Sequence, residues 1–289
     1  MIDRTPLRSD RVREEKQKVI RCLATRPRPI LDSQHKLMLL WSAKAGCTFA
    51  VKWMLDHMGL LQEALAHDQW VHKFRVAKLY AGPAHKASVR DFLNSFEGYR
   101  AIKIVRNPHK RAVSSYIHAA CCGYEDARVS VFLGRPVDQH SGFTFREFVA
   151  YLETIDLCTC NVHHRMQVHP LERYFVRGSR FIIDLDHSMA LLPKLERVLA
   201  LPRTDPDDYR ESSHHTRTSS CANEKFSGDT VYDFADKKSA VIPDYRAFYD
   251  ADLEERVAAL YAEDFLRYAF PTSLKEQLER GGAYAQPGS

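Results

Sequence analysis

The sequence has no long hydrophobic run, and this absence argues against a membrane-spanning segment. Residues 1–28 are polar and basic, without the apolar stretch that a secretory signal peptide needs. If Met1 is the native start, we therefore expect a cytoplasmic protein, although a chain cut from a membrane-anchored enzyme would look the same. No internal repeat is visible in the 289 residues, a length that suits one large α/β domain.

The cysteine pattern and the small net charge argue against a disulfide scaffold, a zinc site and nucleic-acid binding. The seven cysteines are an odd number, and a chain of this length can bury a core without disulfides, which favours a reducing compartment. Cys158 and Cys160, followed by His163 and His164, lack the second ligand pair of a structural zinc site, so we expect no metal. The net charge of +5 suits an anionic ligand but is too small to indicate nucleic acid.

Three short apolar runs have the composition of strands that are buried on both faces of a parallel sheet. They are residues 36–41, 101–105 and 181–185. The patterns also predict helices, at 10–24, 48–61, 91–96, 108–120, 143–152, 188–199 and 253–268, and loops at 121–142 and 202–240. Strands that alternate with helices predict an α/β fold with a mostly parallel sheet, in which ligands bind at the carboxyl ends of the strands.

A loop of small residues, Ser-Ala-Lys-Ala-Gly-Cys-Thr at 42–48, follows the first predicted strand. Small side chains let backbone N–H groups face a ligand, and the positive end of the next helix adds to this attraction. Lys44 supplies a cation and Thr48 a hydroxyl, so the loop favours an anion such as a phosphate. It is not a Walker A motif, because Lys44 precedes Gly46. The alternative is an ordinary turn with a surface lysine.

A second motif, Arg-Asn-Pro-His-Lys-Arg-Ala-Val-Ser-Ser-Tyr at 106–116, follows the next predicted strand. Asn107 is a natural helix N-cap, and Pro108 fits the first helical position because its missing N–H costs nothing there. An arginine fork at Arg106 and a hydroxyl at Ser114, two turns further, suit a terminal phosphate monoester. The alternative is a capped helix with an exposed basic face formed by His109, Lys110 and Arg111.

In their order and spacing, the two motifs resemble those of the sulfotransferases that use 3′-phosphoadenosine 5′-phosphosulfate (PAPS), in particular the carbohydrate branch, sulfotransferase family 2-like. Residues 36–60 and 99–120 carry the resemblance, with weaker similarity at 145–152, 161–167, 180–187 and 261–268. It implies a P-loop-like three-layer fold. We divide the chain into a helical extension (1–30), a sulfotransferase domain (31–275) and a disordered tail (276–289).

The resemblance also implies a role for each motif residue. Lys44 would lie by the oxygen that bridges phosphate and sulfate, and the 5′-phosphate would be bound by Ala45, Gly46, Cys47 and Thr48. Arg106 and Ser114 would bind the 3′-phosphate. The reaction would transfer a sulfuryl group from PAPS to a hydroxyl acceptor, for which a glycan is favoured, without a metal.

A general base should take the proton of the acceptor hydroxyl, and histidine fits this task. His72 is the best candidate by its position between the two motifs, and the other histidines considered are His118, His163, His164, His214 and His215. Near His72, three aromatic residues could stack on a sugar ring or on adenine, or pack in the core: Trp70, Phe74 and Tyr80. Binding of an anionic glycan or simple solvation are both open for Lys73, Arg75 and Lys78. Arg217 is a further candidate phosphate contact.

Two other functions fit parts of this pattern. A P-loop nucleotide kinase would use the same kind of loop, but the position of Lys44 argues against it. A non-catalytic module that keeps the fold to bind an anionic ligand would bind 3′-phosphoadenosine 5′-phosphate (PAP) tightly and transfer nothing.

Overall fold

The computed structural model describes residues 5–138, 140–210, 225–233, 242–277 and 279, with side chains from residue 13 onward. Its strands are β1 (Ile30–Asp32), β2 (Leu37–Leu40), β3 (Arg100–Val105) and β4 (Arg180–Asp184). Its α-helices are α1 (Thr5–Ala24), α2 (Cys47–His57), α3 (Leu61–His67), α4 (Val71–Phe74), α5 (Pro83–Asn94), α6 (Pro108–Cys122), α7 (Asp126–Leu133), α8 (Phe145–Leu152), α9 (Ser188–Val198), α10 (Ala251–Leu260) and α11 (Ala262–Tyr268).

Two compact units make up the chain. Unit 1 comprises Met1–Val105 and His169–Ser213, and unit 2 comprises Arg106–Val168 and His214–Ser289. Each unit is therefore assembled from two separate stretches of sequence. Within the described residues no helix is long and apolar enough to cross a membrane.

Unit 1 contains the sheet, in the order β1-β2-β3-β4. β2 pairs with β3 and β3 with β4 in parallel, whereas β1 runs antiparallel to β2. The three predicted strands are thus confirmed, and β1 is an additional edge strand. Because β2 and β3 are parallel neighbours, both end at the same edge of the sheet. The sequence predicted this for the two strands that precede the motifs.

The alternation of side chains along β2 explains its unbroken apolar sequence. Leu37 and Leu39 belong to the hydrophobic cluster on one face of the sheet, and Met38 and Leu40 to the cluster on the other face. All four side chains are fully buried. A strand that is covered on both faces is apolar at nearly every position.

Helices cover both faces of this sheet. One cluster joins the sheet to α2, α3, α4 and α9, and the other joins it to α1, α5 and the 3₁₀ turn Pro170–Tyr174. The result is a three-layer α/β arrangement. The predicted fold class, with a central and mostly parallel sheet flanked by helices, is confirmed.

Unit 2 is helical in its described part. Helices α6, α8, α10 and α11 share one hydrophobic cluster, which Tyr116, Phe145, Phe148 and Phe248 fill with edge-to-face and tilted ring contacts. α8 begins with the predicted capping box, in which Glu147 N donates to Thr144 Oγ1 and Thr144 N donates to Glu147 Oε2. Such a cap contributes about 1 kcal/mol to the stability of a helix.

Three predicted elements differ from the structure. The expected loop at 121–142 contains α7, whose only buried residue is Val129, so its sequence carries little helical periodicity. The helix expected at 91–96 is the end of the longer α5. The helix expected at 253–268 is divided into α10 and α11 at Tyr261. Much of the expected loop at 202–240, and most of the expected tail, lie outside the described residues.

Candidate active site

The loop between β2 and α2 has an unusual backbone. Lys44 has φ 62° and Gly46 has φ 70°, both in the left-handed region. Lysine pays a steric cost of roughly 1–2 kcal/mol in that region, because its Cβ approaches the carbonyl oxygen. Strained residues of this kind are concentrated at ligand sites, where the surrounding fold holds them in place.

Gly46 is required at its position for two reasons. Its positive φ disfavours other residues, and a Cβ added there would lie 2.4 Å from Leu185 Cδ1, well inside van der Waals contact. Gly46 is also the N-cap residue of α2 and offers no side-chain acceptor to the first turn. The N–H groups at the start of α2 therefore present a positive end toward the loop, without an acidic residue in the first turn.

Lys103, on the neighbouring strand β3, holds Ser42 at the start of this loop. Its side chain is fully buried on β3, and Nζ donates to Ser42 Oγ over 2.8 Å. The carboxylate of Glu172 lies 3.8 Å from the same Nζ and is itself held by the backbone N–H of His169. Sequence analysis included Lys103 in an apolar strand and assigned it no role.

His72 and Thr48 are brought together although 24 positions separate them. The distance from His72 Nε2 to Thr48 Oγ1 is 3.3 Å, a hydrogen bond. The imidazole ring lies 5.6 Å from the Trp41 ring and 5.7 Å from the Trp70 ring, and the residue is only 6% exposed. The base candidate thus contacts the predicted anion-binding loop directly, which favours His72 over the other histidines.

The basic residues after His72 do not form one solvated face. Lys73 and Lys78 are exposed, and Lys73 pairs with Asp68 at 2.6 Å. Arg75 is instead 8% exposed, with its guanidinium carbon 3.9 Å from the centre of the Trp41 ring. Burial lowers the pKa of Arg75, although a guanidinium stays protonated at any physiological pH.

In unit 2, the motif at Arg106 is anchored by its backbone. The side chain of Asn107 accepts from His109 N and Lys110 N, so the predicted N-cap of α6 is confirmed. Arg106 N donates to Gln167 Oε1 and Arg106 O accepts from Gln167 Nε2, each over 2.9 Å. The side chains of Arg106 and Ser114 are both partly exposed.

Gln167 is itself held by a buried carboxylate. The backbone N–H groups of Gln167 and Val168 donate to Asp264 Oδ1 at 2.7 and 3.1 Å, and Asp264 is fully buried. These two residues come from the segments 161–167 and 261–268, whose similarity to the family was weak. Together they hold the backbone of Arg106 in place, a role that could not be predicted for them from the sequence.

His164 belongs to a buried network rather than to an accessible site. Its Nδ1 lies 2.6 Å from Ser115 Oγ and its Nε2 lies 3.3 Å from Glu125 Oε1, and all three residues are at most 1% exposed. Burial raises the pKa of Glu125, but hydrogen bonds from His164 and Tyr151 outweigh it and hold that pKa at about 2. Burial lowers the pKa of His164. A ring this enclosed does not reach an acceptor.

The other candidate histidines and the basic residues of α6 have surroundings different from those of His72. His163 and His118 lie ring to ring at 4.4 Å, and His118 also bonds the Tyr124 hydroxyl. Of the supposed exposed basic face of α6, His109 and Arg111 are buried. Within the described ranges, no three His, Cys, Asp or Glu side chains are grouped as metal ligands would be. Outside these ranges lie His214, His215 and Arg217.

A mostly parallel sheet with a strand–loop–helix turn of small residues at the carboxyl end of β2 defines an α/β protein of the P-loop-like class. The chain belongs to the sulfotransferase family, whose sequence profile matches residues 28–271. Comparisons with curated proteins and with solved structures gave no match. The family resemblance read from the two motifs is confirmed, and the chain is a transferase of sulfuryl groups.

Proposed function

We propose that the chain transfers the sulfuryl group of PAPS to a hydroxyl of a carbohydrate, releasing PAP and a sulfate ester. The observation that carries this proposal is the hydrogen bond between His72 and Thr48. Through this bond the candidate base contacts the loop 42–48, which holds the phosphosulfate in this proposal. A binding loop without such a base would bind the donor and leave the acceptor hydroxyl unactivated.

The donor is held by the motif residues in this proposal. Backbone N–H groups of Gly46, Cys47 and Thr48, with the Thr48 hydroxyl, bind the 5′-phosphate. The N–H of Ala45, also predicted to bind it, donates instead to Ser42 O over 3.3 Å and closes the turn. The left-handed backbone and the open start of α2 suit this task. Arg106 and Ser114 bind the 3′-phosphate, the group that distinguishes PAPS from ATP, and Gln167 keeps the Arg106 backbone in place.

The chemistry is an in-line displacement at sulfur. A lone pair of the acceptor oxygen forms the new S–O bond while the bond from sulfur to the bridging oxygen breaks. His72 takes the acceptor proton and later returns it to solvent. The electron pair of the broken bond stays on the 5′-phosphate of PAP, where Lys44 stabilises the developing negative charge. This stabilisation is largest in the transition state, so it lowers the barrier.

The carbohydrate acceptor is supported by the surroundings of His72. Trp70 is 40% exposed and contacts the His72 ring edge to face. An exposed indole offers a flat apolar surface to the C–H face of a sugar ring, and its polar N–H tolerates water nearby. By contrast Phe74, also considered for stacking, is buried in the core.

Lys44 is the residue that best tests this function. We expect Lys44→Ala to lower kcat at least about 100-fold, the range for removing one transition-state donor. Its effect on PAP affinity should be much smaller, because its main contribution comes in the transition state. The measurement is transfer of label from [³⁵S]PAPS to pools of oligosaccharides and phenols, resolved by mass spectrometry, together with PAP titration by calorimetry.

Lys86→Ala is the matched control, since Lys86 is an exposed lysine of α5 in the same unit. It should keep both transfer and PAP affinity. Wild-type activity in Lys44→Ala would refute the assignment of the loop. Tight PAP binding without transfer to any acceptor would identify a binding module, and magnesium-dependent ATP turnover would identify a kinase.

A further inference from the structure

Arg75 is buried without a counter-ion. Its Nε and Nη1 atoms have no solvent exposure and no hydrogen-bond partner. Among the described residues no carboxylate forms an ion pair with it. Its contacts are the Trp41 ring at 3.9 Å and the Tyr80 ring at 5.8 Å from the guanidinium carbon.

Such an arrangement is costly in the unliganded protein. Burying a charge without a partner is among the most unfavourable events in folding, and stacking on an indole recovers only part of the loss. Natural proteins accept such a cost mainly where a ligand supplies the missing partner. The planar fork of a guanidinium offers several N–H donors to the oxygens of a sulfate, phosphate or carboxylate group.

The position of Arg75 indicates where that ligand would lie. Trp41, on which the guanidinium stacks, is the last residue before the loop 42–48. Arg75 also begins a π-helical turn, Arg75–Leu79, which continues directly from α4. Local π-helical turns recur at functional sites because they reorient single side chains.

We propose that Arg75 is a further substrate-binding residue, whose guanidinium binds an oxyanion at the reacting end of the site. The inference rests on the proposed function. The oxyanion is either the sulfuryl group of the donor or an acidic group already present on the acceptor, and both have the same chemistry. Stacking of Arg75 on Trp41, the residue directly before the loop 42–48, favours the sulfuryl group of the donor.

Inorganic sulfate is the probe that separates these sources. Its binding to the full-length protein is measured by calorimetry at constant ionic strength, once with saturating PAP and once with saturating PAPS. PAP fills the phosphate sites but leaves the sulfuryl position empty, whereas PAPS fills both. Sulfate that binds the PAP complex and not the PAPS complex places the donor sulfuryl group at Arg75. Sulfate that binds both complexes places an acidic group of the acceptor there.

Arg75→Gln should weaken sulfate binding at least about tenfold, as expected for loss of a charged hydrogen-bond donor pair. Arg75→Lys should restore it only in part, because an ammonium lacks the planar fork. Arg90→Gln is the matched control, since Arg90 is an exposed arginine on α5 of the same unit. It should bind sulfate as the wild type does.

A purely structural role for Arg75 makes the opposite prediction for stability. If the residue is kept for a ligand, Arg75→Gln without anions should melt at the same temperature as the wild type or higher, because an unpaired buried charge has been removed. If it is kept for packing on Trp41, the variant should melt lower and sulfate binding should not change. That result would overturn the proposal.

Failure of the proposed function and failure of the role of Arg75 give different experimental results. A wild-type protein that binds neither PAP nor PAPS would contradict the proposed function itself. A wild-type protein that binds PAP and transfers sulfate, with sulfate affinity unchanged by Arg75→Gln, would overturn the role of Arg75 alone.

Discussion

His72 combines a position next to the loop 42–48 with a nearly closed environment. The Thr48 hydroxyl orients one side of the imidazole, and the indoles of Trp41 and Trp70 limit its rotation. An oriented imidazole is an effective proton acceptor near neutral pH, because its ordinary pKa lies close to that range. In the proposed function, the acceptor packs against the exposed indole of Trp70.

We expect His72→Ala to reduce kcat by about 100- to 10,000-fold with a saturating acceptor, the usual range for a general base. PAP affinity should change only a few-fold, because the backbone of the loop keeps its donors. Steady-state transfer rates and a PAP titration provide the two measurements. His67→Ala, which alters an exposed histidine of α3, should behave as the wild type. An unchanged rate in His72→Ala would remove this residue from the mechanism.

Residues within a local motif were predictable from sequence, and residues that act through distant partners were not. Lys44 and Thr48 lie in one short loop, whose composition already indicates an anion site. Lys103 reaches Ser42 across 61 positions, and Asp264 reaches Gln167 across 97. For Arg75 the decisive property is burial without a partner, which composition and spacing do not report.

At the scale of elements, the turn from β2 into α2 depends on one glycine. Gly46→Ala should lower the free energy of unfolding by about 1–2 kcal/mol, because alanine is strained at φ 70°. It should also weaken PAP binding, because the new Cβ must displace Leu185 and shift the loop. Chemical denaturation and PAP calorimetry measure the two effects.

Gly59 offers a matched control for this substitution. It has φ 69°, nearly the same as Gly46, but a Cβ added there would meet no atom within 4 Å. Gly59→Ala should therefore lose comparable stability while it keeps PAP affinity. If both variants bound PAP equally well, the loop would not be the site of the 5′-phosphate.

The elements that sequence predicted well are those whose burial is regular. β2 and β3 are buried throughout their apolar runs, and α8 has both a capping box and a strongly apolar face. α7 was missed because it buries one residue, and helices that bury little have weak periodicity. The break at Tyr261 was missed because residues on both sides of it continue the same helical pattern.

At the scale of the whole molecule, each of the two units is built from two stretches of chain. This division was not predictable, because local periodicity does not indicate which segments pack together. The two motifs that identify the family fall in different units. The loop 42–48 belongs to unit 1, and the segment 106–114 belongs to unit 2. Whether both bind the same donor is therefore a property of the complete chain.

Hydrogen exchange during a PAP titration tests this property. If one donor occupies both motifs, the amides of 42–48 and 106–114 should gain protection with the same midpoint concentration. Saturation at 100 times the dissociation constant should also stabilise the protein by about 2.7 kcal/mol. In Arg106→Ala both midpoints should move together to higher PAP, because loss of the 3′-phosphate contact weakens the whole ligand. Adenosine 5′-phosphate, which lacks the 3′-phosphate, should protect 42–48 only at much higher concentration. Two different PAP midpoints in the wild type would mean two independent anion sites, and the proposed transfer reaction would lose its donor site.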